Sequence, residues 1–330
     1  MHNKGETAVV GNFIFALTII VCGLLAGRSL RILTEKGKIQ SHQNMHKLLQ
    51  RSTLTALLVV NPLIILGAFW YVQLEDIKLI LLPILGGTAI LFGGALAIVA
   101  AKLLHMKREQ TGAMFSSGTF TNLGSFGNLF CYVFLGEASL AFVAMYRLFE
   151  DFIYYAIGFP VAQSYGEEHA AEKQRSALSK LVRNPFVILT VTTILVGTLL
   201  NLSPLERPAF YAGLNSILVP IFTILLIVPT GFNMKLGAVK GYIKESMIIA
   251  AIKYAIVPVA VIMVGYLTGL HVIYDGIVFK TVVILAVMPP GFTSLVPPQL
   301  YKLDLDLANS SWLINTVLLI IILPIVFLFM

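Results

Sequence analysis

Ten stretches of this chain are each apolar for about the twenty residues a helix needs to cross the hydrocarbon core of a bilayer. They run near residues 10–33, 53–73, 78–102, 111–136, 138–162, 184–202, 209–234, 245–269, 274–297 and 308–330. In hydrocarbon every backbone amide must find its partner inside the protein, so these segments are expected as membrane-spanning helices. Composition agrees: only 12% of the 330 residues are charged, about half the share of an ordinary soluble domain. The first segment does not read as a cleaved signal peptide, because its basic leader is nearly absent and its apolar run is too long. The two cysteines, Cys22 and Cys131, both fall inside spans and match neither a disulfide framework nor a metal spacing.

The formal charge of +7 could suggest nucleic acid, but its distribution points to topology. Arg28, Arg31, Lys36, Lys38, Lys47 and Arg51 lie between spans one and two. Lys102, Lys107 and Arg108 lie between spans three and four, Lys173, Arg175, Lys180 and Arg183 after span five, Lys235, Lys240 and Lys244 after span seven, and Lys302 after span nine. The opposite side carries only Lys4, Lys78, Arg207 and Lys280. The positive-inside rule places the basic side in the cytoplasm and both termini outside. No nucleic-acid partner is expected; the lipid bilayer is the partner.

Two of the spans are badly built as helices. Gly118-Thr-Phe-Thr-Asn122-Leu-Gly124-Ser-Phe-Gly127-Asn128 falls inside span four, and each glycine costs about 1 kcal/mol in a helix interior. Met288-Pro289-Pro290-Gly291 interrupts span nine. Unwound backbone at membrane depth is tolerated only where protein or an aqueous cavity surrounds it. Paired interruptions at corresponding places in two halves of a chain point to the binding site of a secondary transporter. The halves correspond elsewhere too. Asn12-Phe13 opens span one as Asn184-Pro185-Phe186 opens span six, and Phe159-Pro160 near the end of span five matches Leu323-Pro324 in span ten. Five spans per repeat is an odd number, so the repeats must be inverted in the membrane. The expected fold is therefore an all-α polytopic membrane protein of ten transmembrane helices, in two inverted five-helix repeats with broken, crossing helices 4 and 9. The first repeat covers 1–162, a cytoplasmic linker 163–183 and the second repeat 184–330.

The crossing suggests its own chemistry. Half-helix N-termini carry partial positive charge and free amides, which suit an anion, and the C-terminal carbonyls of the entering half-helices suit a cation such as sodium. The entering half-helix of span four is expected to end near Thr121 and the next to restart near Ser125. Candidate substrate contacts are Asn122, Gly124, Ser125, Asn128, Pro289, Pro290, Gly291 and Thr293. Candidate ion-coupling residues are Thr121, Glu150, Asp151 and Gln299. Span five carries Arg147, Glu150 and Asp151; charges at bilayer depth cost about 3 kcal/mol each on insertion scales and normally face a cavity or a partner. Arg147 can reach either carboxylate along one helix face. That leaves an internal ion pair, a free carboxylate that takes a proton or sodium, or Arg147 as a substrate charge. Lys253 in span eight could also meet a substrate, but its place toward the cytoplasmic end predicts that it snorkels to the interface.

The chain resembles the auxin efflux carrier family, whose bacterial members move organic anions and which shares its fold with bile-acid sodium symporters. Asn122-Leu-Gly124-Ser-Phe-Gly127 is similar to the family's N-x-G-x-x-G at the first crossing, although Leu129 stands where the family usually has proline. Ala286-Val-Met288-Pro289-Pro290, Tyr301-Lys-Leu-Asp304 and Ala308-Asn-Ser310-Ser311 resemble the second crossing and the start of the last span. Gly136-Glu137-Ala138 and Arg183-Asn-Pro185 also fit. The charged run of span five departs from the family, which tends to carry a lone asparagine there. The resemblance implies a scaffold of spans 1, 2, 6 and 7 and a transport domain of spans 3–5 and 8–10, with substrate between them. It also implies a multi-pass protein of the plasma membrane, the bacterial inner membrane.

The resulting expectation is a secondary transporter that moves a small organic anion, a carboxylate, by alternating access. It has no cofactor, and a sodium ion (at Glu150 and Asp151) or a proton serves as coupling ion. A sodium-coupled carrier like the bile-acid symporters and a channel are the alternatives. An enzyme is not expected, because no H-E-x-x-H or other nucleophile, base or metal set lies in a span. The sequence leaves the oligomeric state open, a homodimer included.

Overall fold

The computed structural model describes residues 2–39, 41–73, 75–166, 185–234, 237, 239–328 and 330. The expected linker lies outside these from residue 167 on, as do Arg183 and Asn184. The described residues form helices and no strand, with one isolated β-bridge. We number the helices α1 (His2–Glu35), α2 (His42–Tyr71), α3 (Ile77–Leu103), α4 (Arg108–Thr119), α5 (Leu123–Leu135), α6 (Ala138–Tyr146), α7 (Glu150–Ile153), α8 (Phe159–Ser164) and α9 (Pro185–Leu202). They continue with α10 (Phe210–Asn233), α11 (Val239–Leu267), α12 (Ile277–Ala286), α13 (Val296–Tyr301) and α14 (Leu305–Leu328). Among the described residues six helices are long and apolar enough to cross a membrane: Gly11–Glu35 of α1, α2, α3, Gly213–Asn233 of α10, α11 and α14. The segments expected as spans four, five and nine are each interrupted.

The chain divides into two units. The first comprises Met1–Leu74, Gly124–Ala141 and Leu189–Met234. Its spine is α1 against α10, and small residues make the approach close, as is usual where lipid supplies no hydrophobic driving force. A Cβ on Gly27 would meet the carbonyl of Val228, and one on Gly231 the carbonyl of Leu24. Arg28 and Arg31 donate to the Met234 carbonyl at 3.3 and 3.1 Å, satisfying an acceptor at the end of α10. At the other end of this unit Glu137 accepts from Arg207 and Asn215, and the Arg207 guanidinium lies over the rings of Tyr71 and Tyr211. Thr230 and Asn233 bond back to carbonyls of their own helix, Leu226 and Pro229.

The second unit comprises Glu75–Leu123, Phe142–Ile188 and Lys235–Met330. Here α3 lies on α4 through Gly93 and Gly118, where a Cβ on either residue would fall on the other's carbonyl. Helix α14 holds α11 by polar contacts: Asn315 Nδ2 donates to the Ser246 carbonyl at 3.2 Å, and the Tyr254 hydroxyl donates to the Asn315 carbonyl. Asp304 caps α14 through the Leu307 amide at 2.9 Å and accepts from the Tyr242 hydroxyl at 2.8 Å.

Proline leaves a recurrent mark on these helices. The π-helical turns Ala56–Val60, Tyr154–Gly158 and Ile252–Ile256 each end two residues before a proline, Pro62, Pro160 and Pro258. A proline in a helix clashes with the carbonyl four residues back and cannot donate to it. Widening the preceding turn, so that Asn61, Phe159 and Val257 donate five residues back to Ala56, Tyr154 and Ile252, relieves the clash without breaking the helix.

Candidate functional site

The first helix break is short. Helix α4 ends at Thr119, Phe120 is extended (φ −80°, ψ 106°), and helical geometry resumes at Leu123. The second break runs from Val287 to Gly291, between α12 and a 3₁₀ turn Phe292–Leu295. The restart is thus two residues earlier than expected, because only three residues are needed to lay one break against the other. The breaks run antiparallel, with Thr121 opposite Pro290. The Asn122 amide donates to the Pro289 carbonyl at 2.8 Å, and the Gly291 amide to the Phe120 carbonyl at 2.8 Å.

This pairing explains the residues. Thr121 and Pro290 form a non-hydrogen-bonded pair, flanked by the bonds that their neighbours make. Pro290 therefore occupies a position where a missing N–H costs nothing. Gly291 follows where a Cβ would come within 3.1 Å of both the Thr121 carbonyl and the Thr293 hydroxyl. The Thr121 amide, which cannot pair across the bridge, donates to the Tyr154 hydroxyl at 2.8 Å. Three backbone donors freed by the breaks are thus met by protein, as membrane depth requires. The Phe120 ring is wholly buried and lies 4.4 Å from Tyr154 and 5.3 Å from Phe159, centroid to centroid.

Two side chains carried by π turns converge on Thr121. One is Tyr154. The other is Lys253, whose Nζ donates to the Thr121 hydroxyl at 2.6 Å while the residue is only 3% exposed. The expectation that Lys253 snorkels is therefore corrected. Helix α11 starts at Val239, six residues before the apolar segment that the sequence delimits. Lys253 then stands midway along the helix, about 20 Å of rise from either end and beyond a lysine's reach.

Glu150 is 6% exposed and accepts from Arg147 Nε at 2.5 Å. The Tyr154 hydroxyl lies close beside it. The chain of contacts therefore runs from Arg147 through Glu150 and Tyr154 to the backbone of Thr121. Span five is interrupted here, where residues 147–149 form a turn between α6 and α7. Asp151 is partly exposed. A cavity of about 10 Å³, roughly the space of one water, opens beside the first break. Lys253, Tyr146 and Thr121 line it, with Gly86, Ala89 and Ala286 among its small neighbours. The Tyr146 hydroxyl is buried without a hydrogen-bond partner.

Of the sequence candidates, Thr121, Asn122, Pro289, Pro290 and Gly291 come together in the second unit. Gly124, Ser125 and Asn128 belong to the first, where the Ser125 carbonyl accepts from Thr223 at 3.3 Å. Thr293 and Gln299 are exposed. Sequence reasoning missed Tyr154 and Tyr146 and undervalued Lys253. The available signal was the proline five or six residues further along, at Pro258 and Pro160, which forces the π turn that aims each side chain.

A family model described as membrane transport protein matches residues 8–327, nearly the whole chain. The chain belongs to this family, the auxin efflux carrier-like membrane transport proteins. No curated protein matches it. Membership makes it a membrane transporter rather than a member of an enzyme family, and with its apolar helices makes it a multi-pass protein of a lipid bilayer.

Proposed function

We propose that this family member is a secondary carrier of a small organic anion, a carboxylate, bound at the paired breaks of spans four and nine. The observation that carries the reading is the antiparallel bridge at Thr121 and Pro290 with the buried Lys253 ammonium on it. Rigid, paired backbone offers polar groups at membrane depth without exposing them to lipid, and Lys253 supplies a nitrogen donor that can carry a proton for a carboxylate. The N-terminus of α5, which leaves the first break, adds a partial one. Asn122 lies at the rim of the bridge and supplies a side-chain amide for a carboxylate. The spans form two inverted five-helix repeats, cycle by alternating access and leave both termini outside the plasma membrane. The basic residues between odd- and even-numbered spans support that orientation.

Coupling to a proton or sodium through Glu150 is the second reading. Its support is the contact chain from Glu150 through Tyr154 to Thr121. The experiment is uptake of a panel of labelled carboxylates into proteoliposomes. Asn122→Ala and Pro290→Ala should each cut uptake at least tenfold while melting stays near that of the wild type. Full uptake in both variants removes the breaks from the transport site, and currents far above carrier turnover replace the carrier by a channel.

A further inference from the structure

Lys253 has a neighbour that the substrate reading does not use. Tyr254 stands one residue further along the same π turn, Ile252–Ile256, and its hydroxyl donates to the carbonyl of Asn315 on α14. Asn315 is wholly buried, and its Nδ2 donates to the Ser246 carbonyl at 3.2 Å. One residue of α14 therefore holds α11 at two places, before the π turn and inside it. These places are separated by about 12 Å of helix rise. Between the same two helices the hydroxyls of Ser246 and Ser311, both wholly buried, lie 3.4 Å apart.

Lipid tails are as apolar as the surface of α11, so burial does not choose which face of the helix turns inward; hydrogen bonds and close packing do. Pro258 accounts for the widening of the turn, but a proline does not fix how the helix is rotated about its own axis. That rotation decides whether Lys253 reaches the Thr121 hydroxyl, to which it donates at 2.6 Å. The bond from Tyr254 sets the rotation one residue away from Lys253, and the bond at Ser246 sets it on the far side of the wide turn.

We propose, resting on the reading that Lys253 contacts the substrate, that Tyr254 and Asn315 are positioning residues. Together they clamp α11 on α14 so that the Lys253 side chain meets the first break, and they thereby set the affinity for the carboxylate. Their effect passes through Lys253 and belongs to binding more than to stability. Tyr254→Phe removes a donor and leaves no buried donor unmet, because the partner it loses is a carbonyl, so folding should be retained.

The test compares uptake into proteoliposomes, for the best-carried member of the labelled carboxylate panel, with the structure of the Tyr254→Phe variant. In that variant KM should rise about tenfold or more with the maximal rate little changed, the size and pattern of a lost hydrogen bond to a charged group. In a Lys253→Gln background Tyr254→Phe should raise KM no further, since residues that act through one another are not additive. Equal rises in both backgrounds overturn the clamp, because a purely structural tyrosine would act in either. The variant structure should show Lys253 Nζ out of hydrogen-bond range of the Thr121 hydroxyl, and an unmoved Lys253 overturns the clamp. Asn315→Leu should give the same rise in KM, and it keeps the test decisive should Tyr254→Phe not fold. Full uptake in Lys253→Gln, or no carboxylate carried by the wild type, removes the substrate reading instead; the Lys253 to Thr121 distance in the variant structure then decides the clamp alone.

Discussion

Tyr154 holds the first helix break in shape with a single oxygen. Its hydroxyl accepts the Thr121 amide, which the bridge to Pro290 leaves without a strand partner. Tyr154→Phe strands that buried donor, and an unmet buried amide costs about 1–3 kcal/mol. The ring contacts with Phe120 survive the change, so the expected outcome is a lower melting temperature with the fold retained; an unchanged melting temperature would show that another group satisfies Thr121. Glu150 poses a different question, because its bond to Arg147 can serve structure alone. Glu150→Gln removes the carboxylate bonded to Arg147 and leaves Asp151 as its nearby counter-charge, so it should destabilise by less than the roughly 3–5 kcal/mol of breaking a fully buried pair. The double replacement Arg147→Met with Glu150→Leu removes both charges and should recover much of that loss. Uptake in the double variant then separates the roles. Activity near wild type means the pair is structural, whereas stable but inactive protein means that the carboxylate works in transport.

Elements, more than residues, mark where the sequence could be read and where it could not. The two breaks were legible because glycine, proline and asparagine in an apolar segment have no good helical use, and both interruptions fall where those residues stand. The first break's shortness was not, since which amides pair across the break depends on a partner some 170 residues away. The π turns were also hidden. A proline at position 258 announces strain in the helix, but only the packed structure says that the strain is absorbed by a wide turn that swings Lys253 to Thr121. The start of α11 at Val239 lies in a charged, weakly apolar stretch, so hydropathy placed the helix too late and Lys253 too near its end. The Arg147–Glu150 pair was readable from its spacing, but the turn that interrupts span five beside it was not. Pro258→Ala follows from this account. With an N–H restored, the turn can close to ordinary α geometry, which rotates the residues before it relative to those after it. The expected result is a well-folded protein in which the bond from Lys253 to Thr121 is lost, seen as a shifted Lys253 in its structure and a fall in uptake. A variant structure that keeps the π turn would assign the turn to tertiary packing instead of to the proline. Close helix contacts give a stricter prediction. Gly118→Leu pushes a side chain into the backbone of α3 at Gly93, with little room for either helix to yield. Failure to accumulate folded protein is expected, and normal expression and melting would contradict the observed approach.

At the scale of the molecule, charge placement ties fold to function. The only hydroxyl on the bridge, that of Thr121, already accepts from an ammonium, and the carboxylate nearest to it in the contact chain already neutralises Arg147. A sodium ion at this place would have to displace Lys253 or compete with Arg147, and breaking either contact carries a cost. On this reading the protein should melt at the same temperature in sodium and choline chloride at equal ionic strength. Lys253→Gln changes the balance. It removes the fixed charge while keeping a polar side chain, leaving the Thr121 hydroxyl and the Glu150–Tyr154 chain without the neighbouring cation. Whole-protein melting reads this directly, because a ligand that binds only the folded state stabilises by RT ln(1 + [L]/Kd). A saturating rise with sodium in the wild type would show that a cation finds oxygen ligands despite Lys253, and would move the protein to the sodium-coupled reading. Flat melting in the wild type with a sodium-dependent rise in Lys253→Gln would identify the lysine as the charge that makes sodium unnecessary.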